Sequence, residues 1–290
     1  MSASTIGQIK QHIGQLTNDN TSNQLPSFWL TDWLLHVTDK PAIALMTDED
    51  YQLSDSELAQ FSDGVNKMQQ GIPLAYLTGQ QEFWSLNFNV NEHTLIPRPD
   101  TEVLVEQVLN WINAQPAQLN NKRLLDLGTG SGCIAISLAH ELKHANWQIV
   151  AVDLSSEALK VAQHNAVSNN VASIEFVQSS WYQALPIYDE PQFDIIVSNP
   201  PYIDETDEHL AGLIAEPISA LSAPNQGLAD IEHIVQQATT YLRTGGLLAI
   251  EHGYDQGDAV RQLFLDNGFE SVHTVKDYGG NDRVTLGQVQ

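Results

Sequence analysis

Three features of the chain predict an α/β protein built on a doubly wound, mostly parallel sheet and preceded by a smaller helical region. From Asp100 onward, short apolar runs rich in β-branched residues alternate with stretches of helical spacing. A glycine-dense turn, Gly128-Thr129-Gly130-Ser131-Gly132, joins the first of these runs to the helix that follows it. The run Asp194-Ile195-Ile196-Val197-Ser198 then stops abruptly at Asn199-Pro200-Pro201-Tyr202, because neither proline can donate to a sheet ladder.

Composition sets the outer bounds. The chain has 290 residues, 42% of them hydrophobic, enough for one large or two modest domains with a real core. Its formal charge of -24 comes from 36 acidic and 12 basic side chains. The basic residues are scattered, with Lys122-Arg123 the only adjacent pair, so no cationic stripe awaits a phosphate backbone and tight nonspecific nucleic-acid binding is disfavoured. Such acidity reads as a solvated surface adapted to salt or cold. The single Cys133 excludes an internal disulfide and a cysteine-rich metal site. No apolar run reaches membrane-spanning length, and Met1 to Lys10 lacks a signal-peptide core, so a cytoplasmic protein is expected.

In chain order, Ile6, Ile9, Ile13 and Leu16 mark an amphipathic first helix, and Phe28, Trp29, Leu30, Leu34 and Leu35 a second, after the turn signal Leu25-Pro26-Ser27. Ser54-Asp55-Ser56-Glu57 has the capping-box pattern ahead of Leu58, Phe61, Val65 and Met68, and Gly71 and Pro73 end that helix. The aromatic residues of this region read as core. Leu86, Phe88 and Val90 alternate with polar residues and predict a strand or hairpin. A helix through Val103 and Val108 comes next, then a strand at Leu124 to Leu127, the glycine turn, and a helix from Ile134 to Leu142. Further strands are expected at Ile149 to Val152, Ile174 to Val177, Phe193 to Ser198 and Leu247 to Glu251, with a helix at Glu157 to Val167. Glu270 to Lys276 and Arg283 to Gly287 lie too close for a helical crossover and should pair antiparallel. No internal repeat or low-complexity tract interrupts the pattern.

The Asn-Pro-Pro-Tyr segment holds the candidate chemistry. Each proline pins its own φ, and Pro201 keeps Pro200 out of helical geometry, so the backbone past the strand is stiff. Ligands of open α/β sheets sit outside the carboxyl ends of strands, where Asn199 would project its amide. A planar amine on an electron-withdrawing group, such as a carboxamide or an aminated base, is a poor nucleophile whose lone pair lies in its π-system. If the Asn199 side-chain oxygen accepts one N–H and the Pro200 carbonyl the other, that nitrogen is held and its lone pair can turn toward an electrophile. Tyr202 would supply a flat wall. The bland alternative is a proline-stiffened turn closing a core strand.

The glycine turn alone is ambiguous. A dinucleotide fingerprint wants its third glycine where Cys133 stands, so the following helix is expected to have no close-packing glycine, and the turn suits a ligand without a pyrophosphate. Asp153, closing the next strand, could accept both hydroxyls of a ribose or merely cap the helix that starts near Ser155. Asp126 could pair with a cationic amine. His140-Glu141-Leu142-Lys143-His144 matches a zinc-protease pattern, yet it sits at the far end of the glycine-loop helix with no third ligand near, and reads as a solvated helix end.

Asp126 to Gly132, Asp153 and Asn199 to Tyr202, in this order, resemble the S-adenosylmethionine-dependent methyltransferases of exocyclic and amide nitrogens. Within that class the chain is similar to the peptide chain release factor glutamine methyltransferases. The likeness extends through Pro73-Leu74-Ala75-Tyr76-Leu77-Thr78-Gly79, Glu82-Phe83-Trp84, Leu95-Ile96-Pro97-Arg98-Pro99-Asp100-Thr101-Glu102, Glu216-Pro217 with Ala220-Leu221, and Gly280-Asn281-Asp282-Arg283-Val284. It implies a helical substrate-docking domain over 1–75, a β-hairpin linker over 76–98, and over 99–290 a Rossmann-like methyltransferase domain with a seven-stranded, mostly parallel sheet. It also implies S-adenosyl-L-methionine held by Asp126, Gly128, Thr129, Gly130, Ser131, Gly132, Asp153, Trp181 and Asn199, with Asn199 and Pro200 catalytic and Asn199 to Tyr202 binding substrate. The substrate would be the glutamine of the Gly-Gly-Gln motif in class I release factors, and the enzyme a metal-free monomer with no stable nucleic-acid partner. Two departures are visible: Ser180 stands where the family commonly places an adenine-binding Asp, and Lys67-Met68-Gln69-Gln70 is less basic than usual. The rival reading is an adenine or guanine amino-group methyltransferase of ribosomal RNA or DNA, since the same clamp fits an aminated base.

Overall fold

Leucine and β-branched runs without polar relief must be covered on both faces, and the strands of the computed structural model are arranged accordingly. It describes residues 5–16, 25–115, 122–171 and 173–290, in two compact units that divide between Gly79 and Gln80.

The first unit holds α1 (Ile6–Leu16), α2 (Ser27–Thr38), α3 (Ala44–Thr47), α4 (Asp55–Gln69) and α5 (Leu74–Thr78). Ile6, Ile9 and Ile13 of α1 meet Leu30, Trp33, Leu34 and Val37 of α2 in one buried cluster. The side chain of Leu16, expected on this face, lies outside the described residues. The capping box forms as the sequence predicts: Ser54 Oγ accepts from the Glu57 amide at 3.3 Å, and Glu57 Oε2 accepts from the Ser54 amide at 2.6 Å.

The second unit opens with the antiparallel hairpin of β1 (Gln80–Phe83) and β2 (Leu86–Asn89). Phe83 and Phe88 are buried from it into the same apolar cluster as α6 (Glu102–Ala114). The α/β part then runs β3 (Arg123–Leu127), α7 (Cys133–Glu141), β4 (Gln148–Asp153), α8 (Ser156–Ser168), β5 (Ile174–Gln178) and β6 (Phe193–Ser198). After it come the short parallel pair β7 (Ile203–Asp204) and β8 (Ser222–Ala223), then α9 (Ala229–Tyr241), β9 (Leu242–Glu251), α10 (Gly257–Asp266), β10 (Phe269–Lys276) and β11 (Asp282–Val289).

The seven-stranded sheet has the order β10-β11-β9-β6-β3-β4-β5, parallel except that β11 runs antiparallel to both its neighbours, as the short connection demands. Successive side chains alternate between the faces. Leu124, Ile149, Ile195 and Leu247 face α6 and α7, whereas Leu125, Val150, Ile196 and Leu248 face α9 and α10. Among the described residues no helix is long and apolar enough to cross a membrane.

Gly64, in the middle of α4, separates two opposing effects. Helix propensity alone makes Gly64→Ala stabilising by about 1 kcal/mol. A Cβ there, however, would sit 2.2 Å from the Trp33 indole, whose Nε1 is tied to the Phe61 carbonyl at 3.1 Å. Overpacking of this kind costs about 1–3 kcal/mol. We expect Gly64→Ala to lower the urea midpoint of the protein; a raised midpoint would show that the indole yields freely.

Candidate active site

Parallel pairing brings the strand ends level. Leu127 of β3 pairs with Val152 of β4 on one side and Ser198 of β6 on the other, and Ser198 pairs with Ile250 of β9. The next residue of each strand or turn is therefore Gly128, Asp153, Asn199 or Glu251, along one edge.

The turn after β3 is pinned by the amides of Gly128 and Thr129, both donating to the Val152 carbonyl at 2.9 Å. Gly128, Gly130 and Gly132 have φ of 72°, 55° and 84°, the left-handed region that L side chains resist. The structure corrects the expectation of no close-packing glycine. A Cβ on Gly132 would lie 2.7 Å from Ile136 Cδ1 and 3.2 Å from Ala162 Cβ on α8, so Gly132 serves the close approach one position before the dinucleotide pattern places it.

Asp153 is not the helix cap. Ser155 caps α8 by accepting from the Ala158 amide at 3.1 Å, and Asp153 instead accepts from the amides of Gly130 and Ser155, each at 2.8 Å. Burial raises its pKa, opposed by these backbone donors. Asp126 lies beneath the turn, fully buried, with Oδ2 accepting from the Thr129 hydroxyl at 2.6 Å. Its Oδ1 closes no hydrogen bond, although the Ala135 amide exerts a pull, and burial pushes this carboxyl up to about 7.

A cavity of about 450 Å³ opens over these strand ends. Of the residues singled out in the sequence, Gly128, Gly130, Asp153, Trp181, Asn199 and Pro201 line it. Thr129 and Ser131 are buried within the turn, Gly132 faces α8, and Pro200 is buried beside Pro201. Trp181, at a φ of 50°, lies against Gly128 and donates from Nε1 to Asp230 Oδ1 at 3.2 Å. Ser180, at the position where the resemblance leads one to expect an acid, also lines the cavity, as does Asp230.

Asn199 donates one N–H of its amide from Nδ2 to the Thr101 hydroxyl at 3.1 Å, leaving its other N–H and its side-chain oxygen. Tyr202 departs from the expected flat wall. It packs against the sheet-face cluster of α9 and α10, donates to Glu251 Oε1 at 3.2 Å and is held at its carbonyl by Gln256 Nε2 at 2.9 Å. Two prolines break the side-chain alternation before it, and the cavity wall on this side is Pro201.

Sequence reasoning missed Asp230 on the cavity wall, and Thr101 and Glu251 as the hydrogen-bond partners of Asn199 and Tyr202. It also left the linker motif without a role that the structure supplies. Glu216, almost fully buried, accepts from the Ile96 amide at 3.0 Å and pairs with Arg98. This ties the segment of Thr94 and Leu95 to that of Pro217 and Ala220, all four on the cavity wall. The His140–His144 pattern is not on one helix: α7 ends at Glu141, whose Oε1 accepts from the Trp84 indole at 3.0 Å. Among the described residues no cluster of His, Cys, Asp and Glu could hold a metal ion.

A glycine turn and a carboxylate on adjacent parallel strand ends define the class, a Rossmann-like methyltransferase. The family profile described as "Methyltransferase domain" matches residues 118–280, and the one described as "PrmC N-terminal domain" matches 31–79. The release factor glutamine methyltransferase of Aliivibrio fischeri is 42% identical over 99% of this chain and 98% of its own length. That of Escherichia coli K12 is 46% identical over 88% of this chain and 89% of its own. The chain belongs to the release factor glutamine methyltransferase family. Among solved structures, the T. thermophilus 16S rRNA N2 G1207 methyltransferase superposes with a TM-score of 0.52 at 18% identity, over 73% of this chain and 50% of that one, a likeness of fold.

The cofactor of this enzyme class is S-adenosyl-L-methionine, and the residues present fit it. A Cβ on Gly130 would meet nothing within 4 Å, so the turn leaves an open floor. Asp153 faces that floor, and Asp126, buried beneath the turn and outside the cavity lining, has one carboxylate oxygen that closes no hydrogen bond.

Asp126 also gives the fold a pH signature. Its folded-state pKa of about 7 lies above its ordinary value near 3.9, so the native state holds the proton more tightly and stability falls as pH rises between those values. Asp126→Asn carries no charge at any pH. Without cofactor, we expect this variant to melt above the parent protein at pH 8, by an amount on the order of a few kcal/mol in stability. The gain should vanish toward pH 4. A melting difference that does not change with pH would exclude the carboxyl as its source.

Proposed function

We propose that this chain transfers a methyl group from S-adenosyl-L-methionine to the side-chain amide nitrogen of the glutamine in the Gly-Gly-Gln segment of class I peptide chain release factors. The reading is supported by the meeting of Asn199 with the glycine turn and Asp153 on one cavity, in a chain whose relatives bear the release factor glutamine methyltransferase name over nearly their full length. The helical region over 1–75 would help dock the release factor, and the reaction belongs to the cytoplasm, where peptide release takes place.

When bound, the cofactor would supply an electrophilic methyl carbon on a sulfonium whose leaving group, a neutral thioether, needs no acid. Asp153 would take hydroxyl hydrogens of the ribose, and Asp126, buried beneath the turn, would balance the cationic amine through its charge. Asn199 accepts one N–H of the substrate amide through its side-chain oxygen, and the Pro200 carbonyl accepts the other. Both bonds strengthen as the amide nitrogen pyramidalises and gains positive charge, so they favour the transition state over the planar ground state. The stiff backbone of Pro200 and Pro201 keeps the two acceptors at a fixed spacing. After transfer, the nitrogen returns to planarity by releasing one proton to solvent.

Asn199→Ala should lower kcat by about 10²–10³-fold while the cofactor Kd, from calorimetry, stays close to that of the parent. Asp153→Ala should instead raise that Kd by about 10–100-fold. Labelled cofactor offered with a release factor, ribosomal RNA and DNA side by side identifies the acceptor. Label entering either nucleic acid in preference to the protein would reject the glutamine assignment.

A further inference from the structure

We propose that Thr101 and Glu251 are positioning residues for methyl transfer. The Glu251 carboxylate takes the Thr101 hydroxyl proton, so Thr101 has only lone pairs to present to Asn199, and this fixes the Asn199 amide with its oxygen toward the cavity. The inference rests on the role given to Asn199 above and adds what orients it.

An asparagine amide has two nearly isosteric orientations that exchange donor for acceptor. Only one of them suits a substrate –NH2, because the other sets N–H against N–H. A hydroxyl partner does not choose between them, since it can donate or accept. The choice requires a third group that commits the hydroxyl proton, and Glu251 has the required chemistry as an acceptor when ionised.

The geometry supplies this third group. Glu251 ends β9 next to Ile250, the partner of Ser198, and so lies level with Asn199. Glu251 and Thr101 are each 1% exposed, so water does not compete for the proton between them. Glu251 Oε2 is buried and closes no hydrogen bond of its own, so it is the acceptor available to a neighbouring hydroxyl. Burial pushes the Glu251 carboxyl up to about 7, and the Thr101 side chain is the first influence drawing it back down, ahead of the Arg283 guanidinium and the Tyr202 hydroxyl. Tyr202 donates to Glu251 Oε1 at 3.2 Å while Asn199 donates to Thr101 Oγ1 at 3.1 Å. With the Thr101 proton on Glu251, one buried carboxylate would tie the residues on both sides of Pro200 and Pro201, directly at Tyr202 and through Thr101 at Asn199.

The test uses the full-length enzyme with a purified class I release factor, reading kcat, KM and the calorimetric cofactor Kd for Thr101→Val, Thr101→Ser and Glu251→Leu, alone and with Asn199→Ala. Valine keeps the shape but removes the hydroxyl. We expect Thr101→Val to lower kcat about 10- to 100-fold with the cofactor Kd within about twofold of the parent, as loss of orientation at the reacting centre dictates. Thr101→Ser should recover most of that loss. Glu251→Leu should lower kcat comparably, and neither substitution should reduce turnover further once Asn199 is alanine. Equal activity losses in the serine and valine variants, or a cofactor Kd rising in step with the fall in kcat, would assign Thr101 a structural role and overturn the proposal. An inactive Asn199→Ala beside a fully active Thr101→Val would overturn it too, with the function of Asn199 intact. A fully active Asn199→Ala would instead reject the reading on which the proposal stands.

Discussion

Parallel strands hydrogen-bond at even spacing, and in this protein that regularity determines where the chemistry can lie. With Leu127 paired to Val152 and Ser198, and Ser198 to Ile250, the first residues beyond the paired positions have no freedom to be elsewhere than side by side. Shifting any one strand by a residue would rotate its side chains to the opposite face and carry its terminal polar group away from the cavity. The two apolar clusters resist such a shift, because Leu125 and Leu124, or Ile196 and Ile195, would have to trade covering helices. The register of the sheet is therefore what brings three distant strand ends, at Gly128, Asp153 and Asn199, onto one cavity.

Around that edge, segments with no regular structure are held by charge and hydrogen bonding rather than by apolar packing. Glu216 receives the Ile96 amide and the Arg98 guanidinium, and Arg283 pairs with Asp277 at 2.9 Å while lying 3.7 Å from Asp100. The Glu216 tie joins stretches far apart in sequence through a nearly buried carboxylate, and the Arg283–Asp277 tie closes the β10–β11 connection through another. Removing one partner would strand a charge in the interior, so these contacts specify loop positions more firmly than an exposed ion pair could. The acidic character of the chain becomes local here: Asp153 and Asp230 line the cavity and Asp126 lies buried beneath its glycine turn, a setting that favours a cation.

Much of this arrangement was legible in the sequence because it rests on local pattern. Periodicity marked the strands, the capping box marked the start of α4, glycines marked the turn after β3, and two prolines marked the end of β6. The illegible parts are those that only the assembled sheet creates. Thr101 stands within a recognisable motif, but nothing in its spacing says that Asn199 will donate to it. Glu251 reads as the last residue of a strand, and Asp230 as an acid in the first turn of a helix, both ordinary places for a carboxylate. Tyr202 escaped prediction because no periodicity survives two consecutive prolines. Gly132 escaped because its partner, Ala162, belongs to a helix whose distance no sequence pattern reports.

The position of Gly132 has a bearing on how such a protein can diversify. Its missing side chain is required from behind, by Ile136 and Ala162, and not only by whatever lies over the turn. The loops that border the cavity can therefore accept changes far more readily than this turn, since a larger residue at Gly132 would wedge two helices apart. One fixed point of the turn is thus set from behind, by a residue of another helix that does not line the cavity.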